Sequence, residues 1–329
     1  MSKVLVTGGA GYIGAHTVHL LLQQGYGVVV VDDLSRGYRH NVPPGLLREM
    51  SLADTGGVAR VLAEEKVDAV IHFAAYIAVG ESTRKPELYF SNNTGGSISL
   101  FSAMAQENVK KLVFSSTAAV YGVPAKVPIS EDQPFAPINP YGETKVTVER
   151  ILACLDAHSG LRSVSLRYFN ACGADPEAGL GEEHDPETHL IPLVLRAVMT
   201  GEPVTIFGND YPTPDGTPIR DYIHVNDLAQ AHIAAVEHLM AGGESEAFNC
   251  GTGTGHTVME VVRAAEDVAG TKVPRVIGPR REGDPPALVA NSDKLRRRLG
   301  WQPRYPGLRE MVETAFRWEQ SRRRAGEQP

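Results

Sequence analysis

Apolar positions in the first half of the chain alternate between two textures. Short runs with no polar break, Lys3 to Thr7 and Val28 to Val31, read as strands covered on both faces, and Ala69 to His72, Lys111 to Ser115 and Ser163 to Arg167 continue the series. Between them apolar residues recur at helical spacing: through Val18, Leu21 and Leu22, near Leu88 to Gln106, and from Tyr141 to His158. Strand and helix in regular alternation predict an α/β fold, a doubly wound parallel sheet over residues 1–170.

After Asn170 the texture changes. The stretch Gly173 to Pro186 is rich in Gly, Pro, Asp and Glu and reads as a boundary. Beyond it, short strands (Val204 to Phe207, Ala247 to Asn249, Arg275 to Ile277) mix with helices (Asp227 to Met240, Val258 to Ala269). These predict a second, smaller α/β domain over residues 171–329, with segments near 220–245 returning to pack on the first.

Composition narrows the class. The chain has 329 residues, 42% of them hydrophobic, enough for one large or two moderate cores. A net charge of -7 gives no footprint for nucleic acid. Cys154, Cys172 and Cys250 are far apart and form no C-x-x-C, so they read as reduced packing residues. Nowhere do about 18 apolar residues stand together, which argues against a membrane partner and for a soluble cytoplasmic protein.

Candidate chemistry begins at the first strand. Gly8-Gly9-Ala10-Gly11-Tyr12-Ile13-Gly14 follows it directly and opens a helix. Gly9, Gly11 and Gly14 fit G-x-G-x-x-G, and Gly8, Gly11 and Gly14 fit G-x-x-G-x-x-G. Such glycines let the backbone approach a pyrophosphate at a helix N-terminus, where unpaired N–H groups favour anions. Asp32 ends the second strand at roughly the expected ~20-residue distance, where a carboxylate accepts from ribose hydroxyls and repels a 2'-phosphate. The sheet is therefore of Rossmann type, and NAD is favoured over NADP.

Further along, Tyr141 and Lys145 stand four apart, on one face of the predicted helix. By itself that spacing is met by any exposed helical turn. Beside a dinucleotide motif it suits a tyrosine that moves protons, because a nearby cation favours the phenolate by roughly 1 to 3 pKa units. No H-E-x-x-H or clustered His and carboxylate spacing stands out, so no metal is expected, and His72 and His224 read as buried, hydrogen-bonded histidines.

These residues with Thr117 resemble the extended short-chain dehydrogenase/reductase superfamily. Longer strings, Phe114 to Gly122, Leu166 to Asn170, Phe207 to Thr213, Arg220 to Val225 and Pro279 to Asp284, resemble the UDP-glucose 4-epimerase family within it. The resemblance covers nearly the whole chain. It implies an isomerase of galactose metabolism that inverts C4 of a UDP-sugar with NAD through a 4-keto sugar, with Tyr141 as acid/base. Lowering that phenol from about 10 to about 7 takes roughly 4 kcal/mol, to which Lys145 and the positive nicotinamide ring would contribute. The cofactor would meet Gly8, Gly11, Tyr12, Ile13, Gly14, Asp32, Ser51, Leu52, Phe73, Ala74, Ala75, Asn92, Tyr141, Lys145 and Tyr168. The UDP-sugar would meet Thr117, Tyr141, Asn170, His189, Leu190, Arg220, Arg281, Asp284 and Leu288.

Four positions depart from the family's pattern. Ile77 stands where a lysine toward NAD is common, and Ser51 where an Asp receives the adenine amino group. His189 replaces an Asn near the nucleotide. Leu288 replaces a bulky Tyr beside the sugar, which implies room for UDP-N-acetylglucosamine. A related 4,6-dehydratase would need an acidic pair after Thr117, where Ala118 and Ala119 stand; a non-catalytic NAD-sensing protein would need no Thr117, Tyr141 and Lys145. The family also implies a homodimer, through the apolar stripes Val148, Ile151, Leu152, Leu155 and Ile98, Phe101, Met104.

Overall fold

The computed structural model describes residues 2–281 and 283–324. Glu282, within the string Pro279 to Asp284, and the last five positions of the 171–329 region lie outside the described residues. In the first half the strands are β1 (Lys3–Thr7), β2 (Gly27–Asp32), β3 (Leu47–Glu49), β4 (Ala69–His72), β5 (Lys111–Ser115) and β6 (Arg162–Tyr168). The helices there are α1 (Tyr12–Gln23), α2 (Thr55–Glu65), α3 (Val79–Arg84), α4 (Pro86–Tyr89), α5 (Gly96–Gln106) and α6 (Pro140–Ser159). The second half adds β7 (Asn170–Cys172), β8 (Val204–Phe207), β9 (Ile219–His224), β10 (Glu246–Cys250), β11 (Gly255–Thr257), β12 (Arg275–Gly278) and β13 (Ala287–Leu288). Its helices are α7 (Leu190–Thr200), α8 (Val225–Met240), α9 (Val258–Ala269), α10 (Asp293–Leu299) and α11 (Leu308–Arg324).

The central sheet is wholly parallel, in the order β10-β6-β5-β4-β1-β2-β3. Its strands are apolar on both faces because both are covered. Val4, Val6, Val28 and Val30 pack with Val18 and Leu21 of α1 and Leu228 and Ala231 of α8. Their neighbours Leu5, Val29 and Val31 face the other way, onto Leu62 of α2, Leu100 and Met104 of α5, and Val148 and Leu152 of α6. Two elements from the second half thus complete the first layer: α8, and β10, which pairs with β6. Sequence texture grouped Ala247 to Asn249 with the second region; the pairing of Phe248 with Leu166 puts it in the first sheet.

The helix expected near Leu88 to Gln106 is α4 and α5 joined by a π-helical turn, Phe90–Gly95. A widened turn of this kind often marks a functional position, and this one carries Asn92 and Asn93. Of the apolar stripes on α5 and α6, Val148, Leu152, Phe101 and Met104 are buried within the monomer, and Ile98 is exposed. His72 is buried between the Thr7 hydroxyl (2.7 Å from Nδ1) and the Ser97 hydroxyl (2.9 Å from Nε2). His224 caps α8, its Nδ1 accepting from Asn226 N–H at 3.1 Å. All three cysteines are free thiols. No helix among the described residues is long and apolar enough to cross a membrane.

Helix α6 starts where Asn139 accepts from Gly142 N–H (2.8 Å) with Pro140 in the first turn, and it stops at Gly160, φ +68°. Its height above the sheet is set by a buried ion pair. Arg167 of β6 donates from Nε (3.0 Å) and Nη2 (2.6 Å) to opposite oxygens of Glu149 on α6. Ser116 donates to the same carboxylate (2.6 Å), and Arg167 Nη1 to the Tyr121 hydroxyl (2.9 Å), which donates to Asn249 of β10 (2.7 Å). Removing one charge strands the other in the interior. Glu149→Gln should therefore cost about 3 to 5 kcal/mol, read as a lower urea midpoint at unchanged slope. A loss below about 1 kcal/mol, the level of an exposed pair, would show that the bridge does not fix α6.

Candidate active site

One cleft of about 2480 Å³ runs along the carboxyl ends of the central strands, where ligands meet doubly wound sheets. Every residue singled out for cofactor or substrate lines it except Lys145, which lies beneath its floor.

At one end the turn after β1 brings Gly8 (φ +71°) so close to β4 that a Cβ would stand 2.6 Å from Ala74 N. A Cβ on Gly14 would stand 2.2 Å from Gly8 O, whereas none of the atoms around Gly11 would come closer than 3.4 Å. Gly11 begins α1 with no side-chain cap, so its first-turn N–H groups are available to an anion. Asp32 is buried at the end of β2 and accepts from Ala10 N–H and Leu34 N–H, both at 2.9 Å. Burial raises its carboxyl above the usual range, against those two hydrogen bonds. Arg36, the nearby cation that a 2'-phosphate could use, is paired with Glu81 (3.1 Å) and stacked over Tyr76 (5.3 Å). Ser51, Leu52, Phe73, Ala75, Ile77 and Asn92 complete this wall. These features fit a dinucleotide. Tyr12 spends its side chain elsewhere: its hydroxyl donates to Gly173 O at 2.6 Å, tying the turn to the loop after β7.

Mid-cleft, Tyr141 and Lys145 share a helix face as their spacing suggests, and Thr117 lies beside Tyr141, all three buried. Thr117 ends an extended segment after β5, and its hydroxyl accepts from Ala119 N–H at 3.1 Å. Lys145 Nζ lies 5.9 Å from the Tyr141 ring centre and 4.8 Å from that of Phe114, and donates to Ser115 O at 2.8 Å. Tyr168, at the end of β6, shares a 3.0 Å hydrogen bond with Ser115.

The electrostatics reverse the simple expectation. Burial, and then Tyr168, push the Tyr141 phenol well above its ordinary value, and the Thr117 hydrogen bond only partly opposes them. Burial also pulls Lys145 down to about 7, with Glu149 opposing. The protein's own groups thus favour the neutral form of both, because desolvation outweighs one cation at this distance.

The other end is built on the small sheet. β7 pairs with β9 and sets Asn170 beside Tyr222, while β13 pairs with β9 and sets Leu288 opposite Arg220. Arg220 is ion-paired with Asp284, and Arg281 stacks over Phe207 at 4.2 Å. Leu288, like Phe169, is partly buried against the cluster holding Val120 and Tyr121. His189 and Leu190 sit where α7 begins.

Sequence reading missed three parts of this cleft. Asn93, next to Asn92, holds Tyr76 by both backbone groups, accepting from its N–H (2.8 Å) and donating to its C=O (3.0 Å). Phe207 lies within a quoted string, but its contact with Arg281 is tertiary. Around His189 stand Glu182, His184 and Glu187, and the spacing E-x-H-x-x-E-x-H is a His and carboxylate cluster, contrary to the expectation of none. Glu182 is held well below the usual carboxylate range by the two imidazoles despite its burial, and His189 is raised by Glu182 despite its own.

Comparison with known proteins agrees with this geometry. The model of the NAD dependent epimerase/dehydratase family matches residues 4–251. A UDP-glucose 4-epimerase of Lactobacillus helveticus is 49% identical over 321 residues, covering 97% of each chain. The crystal structure of UDP-glucose 4-epimerase from Brucella ovis in complex with NAD superposes with a TM-score of 0.94 at 46% identity, covering 96% of this chain and 98% of that one. The enzyme from Bifidobacterium longum in complex with NAD+ and UDP gives 0.91 at 39% identity, over 97% and 98%. Likeness at this level over nearly the full length places the chain in the NAD dependent epimerase/dehydratase family, among its UDP-glucose 4-epimerases.

Proposed function

We propose that the protein interconverts UDP-glucose and UDP-galactose, inverting C4 through a transient 4-keto sugar. The observation that carries this reading is the placement of Tyr141, Thr117 and Lys145 midway along one cleft, between a dinucleotide cradle and the arginine-bearing edge of β9. When bound, NAD would supply reversible acceptance of the C4 hydride and a positive charge. Gly8, Gly11 and Gly14 with the start of α1 hold its pyrophosphate, Asp32 its ribose, and Ser51 and Leu52 border its adenine. Arg220 and Arg281 hold the substrate diphosphate, with Asn170, His189, Leu190 and Asp284 around the nucleotide. Tyr141 takes the proton of the sugar 4-OH and returns it, with the Thr117 hydroxyl bridging sugar and phenol. Lys145 holds ribose hydroxyls and, in the ammonium form that a value of about 7 leaves well populated at neutral pH, lends positive charge to the phenolate. A cytoplasmic location and a homodimer through α5 and α6 complete the proposed reading, with Ile98 the exposed apolar residue of the α5 stripe.

Purified protein should convert UDP-galactose to UDP-glucose, resolved by chromatography, with NAD copurifying and no NADH accumulating. Light scattering of the same sample should give twice 35.5 kDa. Stoichiometric NAD consumption would make it a dehydrogenase, and a stable monomer would dismiss the dimer.

Tyr141→Phe should lower kcat by about 10² to 10⁴ while nucleotide binding persists. Lys145→Met should slow turnover and move the pH optimum upward, since losing a cation makes the phenol harder to ionise. A Phe variant at full rate would move the base elsewhere, and an unmoved pH profile would remove Lys145 from that role.

The sugar pocket gives the fourth expectation. Leu288 opposite Arg220 is shorter than tyrosine and has no hydroxyl to desolvate, so UDP-N-acetylglucosamine should be a secondary substrate. Leu288→Tyr should lower kcat/KM for the acetylated sugar about 10- to 200-fold relative to UDP-glucose, the range one hydrophobic contact discriminates. Equal handling by both proteins would show that Leu288 is not the gate.

A further inference from the structure

Between β7 and α7 the chain folds back so that four ligand-type side chains converge at the cleft rim. Glu182 and Glu187 are nearly sealed, with side chains 7% and 3% exposed, while His184 and His189 are partly covered. His184 Nδ1 lies 2.9 Å from Glu182 Oε1 and 4.0 Å from Glu187 Oε2. His189 Nδ1 lies 2.7 Å from Glu182 Oε1 and 3.2 Å from Glu187 Oε1. One donor atom from each of the four lies within 4.8 Å of all the others. A tetrahedral ion with bonds of about 2.0 to 2.2 Å has ligand–ligand edges of about 3.3 to 3.6 Å; three of the four imidazole–carboxylate separations are shorter and one is longer, so an ion would spread the donors by a few tenths of an ångström.

Both imidazoles aim Nδ1 at the same oxygen, Glu182 Oε1, so one carboxylate atom already faces both rings. Glu187 Oε1 already accepts from Thr188 N–H (2.6 Å) and His189 N–H (2.7 Å), which fixes its carboxylate and leaves Oε2 toward His184.

We propose that Glu182, His184, Glu187 and His189 bind one zinc-class divalent cation, closing the loop between β7 and α7 at the rim of the cleft. Two imidazole nitrogens and two carboxylate oxygens suit zinc or cobalt over calcium or magnesium, which prefer an all-oxygen shell. Neutral imidazoles would bind through Nδ1, each keeping Nε2 for another partner. His189 also borders the nucleotide in the proposed function, but the test is independent of that reading because occupancy is read without substrate.

The test uses the full chain without a histidine tag, stripped with chelator and titrated with Co2+. One equivalent should bind with the strong visible absorption of four-coordinate cobalt, and one equivalent of Zn2+ should abolish it. Zn2+ should also raise the Tm of the stripped protein. His184→Ala and Glu187→Gln should each weaken Co2+ by about 100-fold or more, a lower bound set by the ~10- to 100-fold typical of outer-shell changes. His184→Cys, which restores a donor, should regain binding, so a misfolded alanine variant cannot pass for a lost ligand. Weak octahedral absorption, binding equal in all variants, or no Tm response to Zn2+ would overturn the site and leave a hydrogen-bonded cluster. None of these outcomes bears on whether UDP-galactose is converted.

Discussion

The Arg167–Glu149 pair is the contact on which the rest of the site depends. Both groups are buried, so each charge is tolerated only through the other and through Ser116 and Tyr121. The pair does what an apolar contact could not, because a fork of N–H donors fixes distance and angle together. Through it α6 is keyed to β6, to the segment carrying Thr117, and by way of Tyr121 and Asn249 to β10. Tyr141 and Lys145 project from the first turns of that same helix, so the proton transfer proposed for Tyr141 depends on this placement, since such steps lose rate steeply when reacting groups are displaced by an ångström.

What the keyed helix presents is a pair of groups whose charges the interior disfavours. Burial lifts the phenol and lowers the ammonium, and the nearest fixed anion, Glu149, is engaged with Arg167. Such a site is poised: added positive charge nearby favours the phenolate strongly, because a low-dielectric setting that penalises a lone ion also magnifies its attraction to a counter-charge. Tyr168 and Ser115 line the same floor and limit solvent there.

The cleft exists because the second half of the chain crosses back over the first. Helix α8 covers the face opposite α5 and α6, β10 extends the sheet past β6, and Tyr12 reaches across to Gly173. β9 enters the main core through Ile223 and carries Arg220 a few residues earlier into the cleft. One strand therefore sets the distance between the dinucleotide cradle and the arginine edge.

Local sequence by itself determined what local forces decide. A buried strand, a glycine turn that leaves no room for a Cβ at Gly14, and a helix opening on free N–H groups are specified within Lys3 to Val18, and the four-residue spacing of Tyr141 and Lys145 puts them on one helix face wherever that helix goes. The parallel sheet followed from unbroken valine runs, since only strands covered on both faces can be apolar throughout. Tertiary structure alone decided the rest. Ala247 to Asn249 carries no signal of which sheet it joins, because strand pairing is chosen by what a distant element buries. The π turn at Asn92 and the stacking of Arg281 on Phe207 arise from packing between segments far apart in sequence. Glu182, His184, Glu187 and His189 are near neighbours along the chain, yet their donors converge only once the loop is closed against Tyr12 and Trp318. The direction in which Tyr141 and Lys145 shift was likewise fixed by burial, a property of the folded interior that spacing along a chain does not encode.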